Sequence, residues 1–110
     1  MVKSKTDLFD QDLQKCAEYF KALAHPARLQ ILLYLAEIKT CITGEISEEL
    51  PLSRTTVNQH LAELKKAGLI RGQVEGVKTN YCLNPDVINS AKTMIDLFIN
   101  EVNCGSTIVC

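Results

Sequence analysis

The chain has 110 residues, 46% hydrophobic and 23% charged, with a net charge of −1. That is the size and composition of one globular domain, and it excludes wholesale disorder, low complexity and two independent cores. The longest purely apolar run, Ile31 to Ala36, is far shorter than the roughly 20 residues that span a bilayer. No apolar stretch follows Met1 to Asp7, so a cytoplasmic location without a membrane partner is expected.

Charge is unevenly placed. Residues 51–80 carry Arg54, Lys65, Lys66, Arg71 and Lys78 against Glu63 and Glu75, a balance of +3 between two segments of −2 each. A basic middle in an acidic frame points to a local polyanion contact. With no tryptophan, the chain lacks a stacking platform for single-stranded nucleic acid.

A first helix is predicted over 8–24, where Phe9, Leu13, Cys16, Phe20 and Leu23 recur at steps of three and four. Pro26 restarts the chain at the first turn of a second helix. That helix, through Ala36, is apolar on nearly every side, which places it at the centre of the core. Thr43 can cap a short third helix at 44–50. After the turn at Pro51-Leu52, Ser53 caps a fourth helix to about Ala67, with Val57, Leu61 and Leu64 facing the core. Gly68 suits the left-handed position that closes it. Residues 69–74 and 77–83 read as two strands around Glu75-Gly76. A last helix over 85–103 carries Ile88, Ala91, Met94, Ile95, Phe98 and Val102 on one wide face, and 104–110 form a tail.

This order makes residues 1–110 a single, mainly α domain with a small β-hairpin, a winged helix-turn-helix. Residues 44–67 form the helix-turn-helix and 69–83 the wing. The fourth helix would enter a DNA major groove. With Val57 and Leu61 buried, Ser53, Arg54, Thr55, Thr56, Asn58, Gln59 and His60 remain on its groove-facing side. Arginine matches guanine edges, Asn or Gln matches adenine, and Thr meets a thymine methyl or a phosphate. Lys65, Lys66, Arg71 and Lys78 add backbone contacts. No Ser/His/Asp set, phosphate-cradling glycine loop or HExxH motif is present, so an enzyme is not expected.

Three stretches carry a family resemblance. Ala22 to Leu32 (ALAHPARLQIL) resembles the helix-entry motif of the ArsR/SmtB metalloregulators. Ser53 to Ile70 is similar to their recognition helix and strand entry, and Gly76 to Leu83 to their wing. The resemblance implies a homodimeric repressor on a palindromic double-stranded operator, released by an inducer and dimerising through the helices at 8–24 and 85–103. The apolar surplus on those two helices agrees.

The inducer has to be read from residues. One familiar zinc site of the family needs Asp-x-His on the last helix, and here Asp86 is followed by Val87 and Ile88, so no zinc site is recognised. The family's Cys-x-Cys site is reduced to Cys41. Cys104 and Cys110 remain, flanking Gly-Ser-Thr-Ile-Val, with Cys16 as a third ligand from either subunit. Thiolates without histidine or carboxylate suit a soft ion. Trivalent arsenic, as arsenite or an organoarsenical, fits best, and some arsenic-responsive members of the family carry C-terminal cysteines. Cys82 reads as a passenger. A thiol-redox switch on the same fold, and a ligand-independent repressor with incidental cysteines, remain open.

Overall fold

A computed structural model describes residues 8–38, 42–43, 50–75 and 78–103; the side chains at 42, 43, 74, 75, 78 and 79 are not described. The expected third helix (apart from Leu50), the turn at Gly76 and the tail 104–110 lie outside the described residues.

Helix α1, Gln11–Leu23, starts later than its apolar periodicity suggests, because Asp10 caps it. The Asp10 carboxylate accepts the Asp12 N–H at 2.7 Å, satisfying one of the donors a helix start leaves open. Helix α2, Pro26–Ile38, begins at the proline. Its first turn is held by His25, whose Nδ1 accepts the Ala27 N–H at 3.0 Å.

The expectation that α2 occupies the centre of the core is corrected. Ala27, Ile31 and Leu35 are buried at four-residue steps, but Leu29 and Leu33 face outward, Leu33 at 65% exposure. Among the described residues, the other elements cover the face of the helix that carries Ala27, Ile31 and Leu35, and Leu29 and Leu33 stay exposed.

Helix α3, Arg54–Lys66, follows a short strand β1, Ile42–Thr43. Leu61 and Leu64 are fully buried and Val57 nearly so. Its C-terminus closes at Gly68, with φ +83°. There the Leu69 N–H reaches the Leu64 carbonyl at 3.1 Å and the Gly68 N–H the Lys65 carbonyl at 2.9 Å, the paired bonds of a Schellman motif. The glycine placed there from sequence takes the left-handed conformation.

Strands β2, Ile70–Glu75, and β3, Lys78–Leu83, form the hairpin, with Arg71 opposite Cys82 and Gly72 opposite Tyr81. The hairpin is part of a three-stranded antiparallel sheet of order β1-β3-β2. Two-residue β1 pairs Ile42 with Tyr81 and Thr43 with Asn80, and it is too short to give an alternating pattern. Helix α4, Pro85–Val102, has its proline at the first helical position. The base of the wing is fastened to it: the Asn84 N–H donates to the Leu69 carbonyl at 3.0 Å, and Arg71 Nη2 donates to Asn84 Oδ1 at 2.9 Å.

One core joins these elements. Tyr19 and Ala22 of α1, Ile31 and Leu35 of α2, the three apolar residues of α3, Leu69, Ile70 and Ala91 of α4 pack together. Replacing Gly68 tests the closing turn. A Cβ there would meet Val87 at ordinary contact, 3.5 Å, so the cost is backbone strain and not collision. Gly68→Ala should lose about 1–2 kcal/mol in urea unfolding at fixed protein concentration, with secondary structure retained.

Candidate nucleic-acid interface

The start of α3 is organised by Ser53. Its Oγ accepts the Thr56 N–H at 3.2 Å and its hydroxyl lies 3.0 Å from Thr56 Oγ1. Ser53 and Thr56 thus fix the helix start, and the exposed side chains Arg54, Thr55, Asn58 and Gln59 project from the first two turns. Backbone N–H groups at such a start favour a phosphate. Lys65 and Lys66 are exposed in the last turn. Arg71 is exposed beside Asn84, and Lys78 opens β3 opposite Glu75. Helix α3 and Arg71 of β2 present amide, hydroxyl and cationic side chains on the outside of the fold.

His60 does not join them, which corrects the groove-facing placement. It is 8% exposed. Arg28 Nε donates to His60 Nδ1 at 3.1 Å, and the His25 and His60 rings lie against each other at a 44° tilt, with centroids 4.2 Å apart. Arg28 Nη1 also reaches the Lys21 and Ala22 carbonyls at 3.1 and 3.3 Å, so one guanidinium ties the end of α1 to α3. Because Nδ1 accepts, His60 is neutral with its proton on Nε2. Burial, then the neighbouring His25 and Arg28, hold its pKa below the ordinary histidine value. The His25-Pro26-Ala27-Arg28 stretch is therefore the joint that sets the recognition helix. Helical periodicity in α3 gave a signal for this, since His60 adjoins buried Leu61 and sits three residues from Val57.

Between α1 and α4 lies a groove of about 560 Å³ lined by Leu13, Cys16, Asn89, Met94, Leu97 and Glu101 among others. Cys16 is a free thiol at 4% exposure. Phe20 meets Phe98 edge to face at 5.7 Å. Around the groove Leu13, Leu97, Phe98, Ile99 and Val102 stay exposed. Cys104 and Cys110 lie outside the described residues. Among the described residues, no group of three or more His, Cys, Asp or Glu is arranged to hold a metal ion, and no helix is long and apolar enough to cross a membrane. Cys82, expected to be a passenger thiol, is disulfide-bonded.

Residues 23–73 match the helix-turn-helix domain family. An HTH-type transcriptional regulator of Methanocaldococcus jannaschii is 36% identical over 76% of this chain and 93% of its own length. The transcriptional activator HlyU of Vibrio cholerae is 34% identical over 80% of this chain and 78% of its own. The chain belongs to the ArsR/SmtB family of helix-turn-helix transcriptional regulators. Reduced HlyU of Vibrio cholerae superposes with a TM-score of 0.60 at 33% identity, covering 84% of this chain and 93% of that one. A possible transcriptional regulator for arsenical resistance gives 0.66 at 26%, covering 73% and 82%. A homodimeric winged helix-turn-helix domain from Mycobacterium bovis, a possible ArsR-family regulator, gives 0.64 at 25%, covering 99% and 100%. As in these ArsR/SmtB relatives, the fold serves DNA-binding regulation of transcription and not catalysis.

The His60 joint makes stability pH-dependent. A histidine whose folded pKa is depressed contributes stability above its unfolded value of about 6.5, and that contribution is lost as pH falls through it. The urea midpoint should therefore drop between pH 7 and pH 5. The drop should be smaller in His60→Gln, whose side chain does not titrate.

Proposed function

We propose that this ArsR/SmtB protein is a homodimeric repressor that binds palindromic operator DNA in the cytoplasm and is released by a thiophilic inducer. The observation that carries the DNA half of this reading is the rotation of α3: Val57, Leu61 and Leu64 are buried while Arg54, Thr55, Asn58 and Gln59 are exposed. A helix held this way offers its N-terminal side chains to base edges. Arg54 suits guanine, and Asn58 and Gln59 suit adenine. Ser53 and Thr56 hold the helix start against a phosphate, and Lys65, Arg71 and Lys78 supply backbone charge.

The dimer reading rests on the apolar residues left open on α1 and α4 and on the homodimeric relative. A contiguous apolar surface of this kind marks an interface, and a two-fold interface buries the same patch on both copies. The groove beside Cys16 then lies at the subunit boundary.

For the inducer, the reading is a trivalent arsenical held by the Cys104 and Cys110 thiolates, with Cys16 as a third ligand. It is supported by the soft character of a thiol-only donor set and by likeness to the arsenical-resistance regulator. Ligation at the end of α4 would alter the interface and the spacing of the two recognition helices. Half-sites lie roughly 34–36 Å apart, so a small change in that spacing weakens binding.

A second reading, a repressor that senses thiol oxidation, is favoured by one observation: the disulfide at Cys82. The likeness to reduced HlyU is consistent with it.

Two experiments test these readings. On promoter DNA, Asn58→Ala should cost about 1–3 kcal/mol and relax base preference at one operator position, whereas Lys65→Ala should weaken all sequences equally and lower the salt slope by about 1. In fluorescence anisotropy, arsenite should release the reduced wild-type protein but not the Cys104→Ser/Cys110→Ser variant, with DNA affinity in the absence of arsenite unchanged. Release persisting in that variant overturns the arsenical site.

A further inference from the structure

The chain has two histidines, His25 and His60, and their rings touch at the joint between α2 and α3. Histidine is the side chain whose ordinary pKa, about 6.5, puts its charge change between pH 5 and 8. Histidine titration in this protein therefore happens at that joint.

Arg28 makes the joint a three-way tie. Its Nη1 donates to the Lys21 and Ala22 carbonyls at the end of α1, and its Nε donates to His60 Nδ1 on α3. An imidazole nitrogen accepts only while it carries no proton. A proton on Nδ1 sets a second N–H and a second positive charge against the arginine Nε–H, across 3.1 Å. Donor then faces donor and charge repels charge, so the bond is lost and the ring or the guanidinium moves away.

From this geometry we infer that Arg28 and His60 are positioning residues for DNA reading, and that protonation of His60 loosens α3 and weakens operator binding. The inference rests on the reading of α3 as the DNA-contacting helix and adds the proton as a regulator of it. Neither residue has to touch DNA, since His60 is buried and Arg28 half-buried. His60 stands at the midpoint of α3, directly after the exposed pair Asn58 and Gln59 and before buried Leu61. With the tie closed, α3 is held to the end of α1, the helix that carries Leu13 and Phe20 of the proposed dimer face. With it open, α3 keeps its apolar contacts but loses the polar fastening that fixes where it stands relative to α1. Half-sites at a fixed spacing punish such freedom. Binding to arbitrary sequence depends on phosphate contacts, which added positive charge does not weaken.

The surroundings of the ring set the direction of the switch. Of the elements packed on α3, α2 and the turn before it bring Arg28 and His25 to the ring. Helix α1 enters through the two carbonyls that hold Arg28. Strand β2 carries Arg71, engaged by Asn84, and Glu75 at its far end. On α3 itself Glu63, about one turn on, is exposed. Burial, then His25 and Arg28, hold the pKa of His60 below the ordinary value, so the tie is closed at neutral pH and opens on acidification.

The test measures anisotropy of the full chain on promoter DNA and on a scrambled duplex, from pH 7.5 to 5.5 at constant ionic strength. Circular dichroism at each pH confirms that the chain stays folded. Promoter Kd should rise at least about fivefold on acidification, with no weakening on the scrambled duplex. His60→Asn, whose carbonyl oxygen stands in for Nδ1 and does not titrate, should bind like the wild type at pH 7.5 and lose the response. His25→Asn should keep it. A measurement without substitution stands beside these: NMR of histidine-labelled wild type should give His60 a lower pKa in the operator complex than in the free protein, because the coupling is reciprocal. A response that survives in His60→Asn, or a His60 pKa unchanged by operator, overturns the switch while leaving α3 as the reading helix. No preference for promoter over scrambled DNA at pH 7.5 sinks both.

Discussion

Val57, Leu61 and Leu64 leave α3 one acceptable rotation about its axis. All three are buried against Ile31, Leu35 and Ile70, and turning the helix to expose them would cost about 1.5–3 kcal/mol per side chain. The residues on the opposite side of the helix start, Arg54, Thr55, Asn58 and Gln59, are therefore held outward by the same packing that stabilises the core. The outward set is polar and hydrogen-bonding, so a core constraint becomes a readable surface. Capping by Ser53 and closure at Gly68 fix the two ends, leaving the helix little freedom to slide.

The second fixture is the Arg28 guanidinium. It spends its donors on two carbonyls at the end of α1 and on His60 of α3, bridging a dimerisation-side helix and the recognition helix with one side chain. An arginine suits this because its planar fork can serve several acceptors at once. Neutral His60 can accept only while unprotonated, and burial, then His25 and Arg28, favour that form by lowering its pKa. A change at the α1–α4 face thus has a short, hydrogen-bonded route to α3, the route the proposed regulation would use.

The cysteines divide by location. Cys16 sits at the groove between α1 and α4, Cys82 on the central strand of the wing sheet, and Cys104 and Cys110 past the end of α4. The proposed ligand at the last pair would act at the end of α4, whereas Cys82 belongs to the sheet that forms the wing. The two chemistries therefore need not compete for the same sulfur atoms.

Much of this was legible in the chain of residues. The apolar spacing of α3, the proline at the start of α2, the glycine that closes α3 and the hairpin each rest on local rules, in which the side chain or backbone preference of one residue acts on its own neighbourhood. The helix-turn-helix order and the exposed polar start of α3 follow from them. What could not be read locally was decided by contacts distant in sequence. Whether His60 faced the groove or the core depended on Arg28, 32 residues away. Whether all-round apolar α2 was central depended on how many sides the rest of the chain could cover. Two-residue β1 exists only because β3 offers an edge. Periodicity assigns a residue to a face of its own helix or strand; only the tertiary structure decides what that face meets.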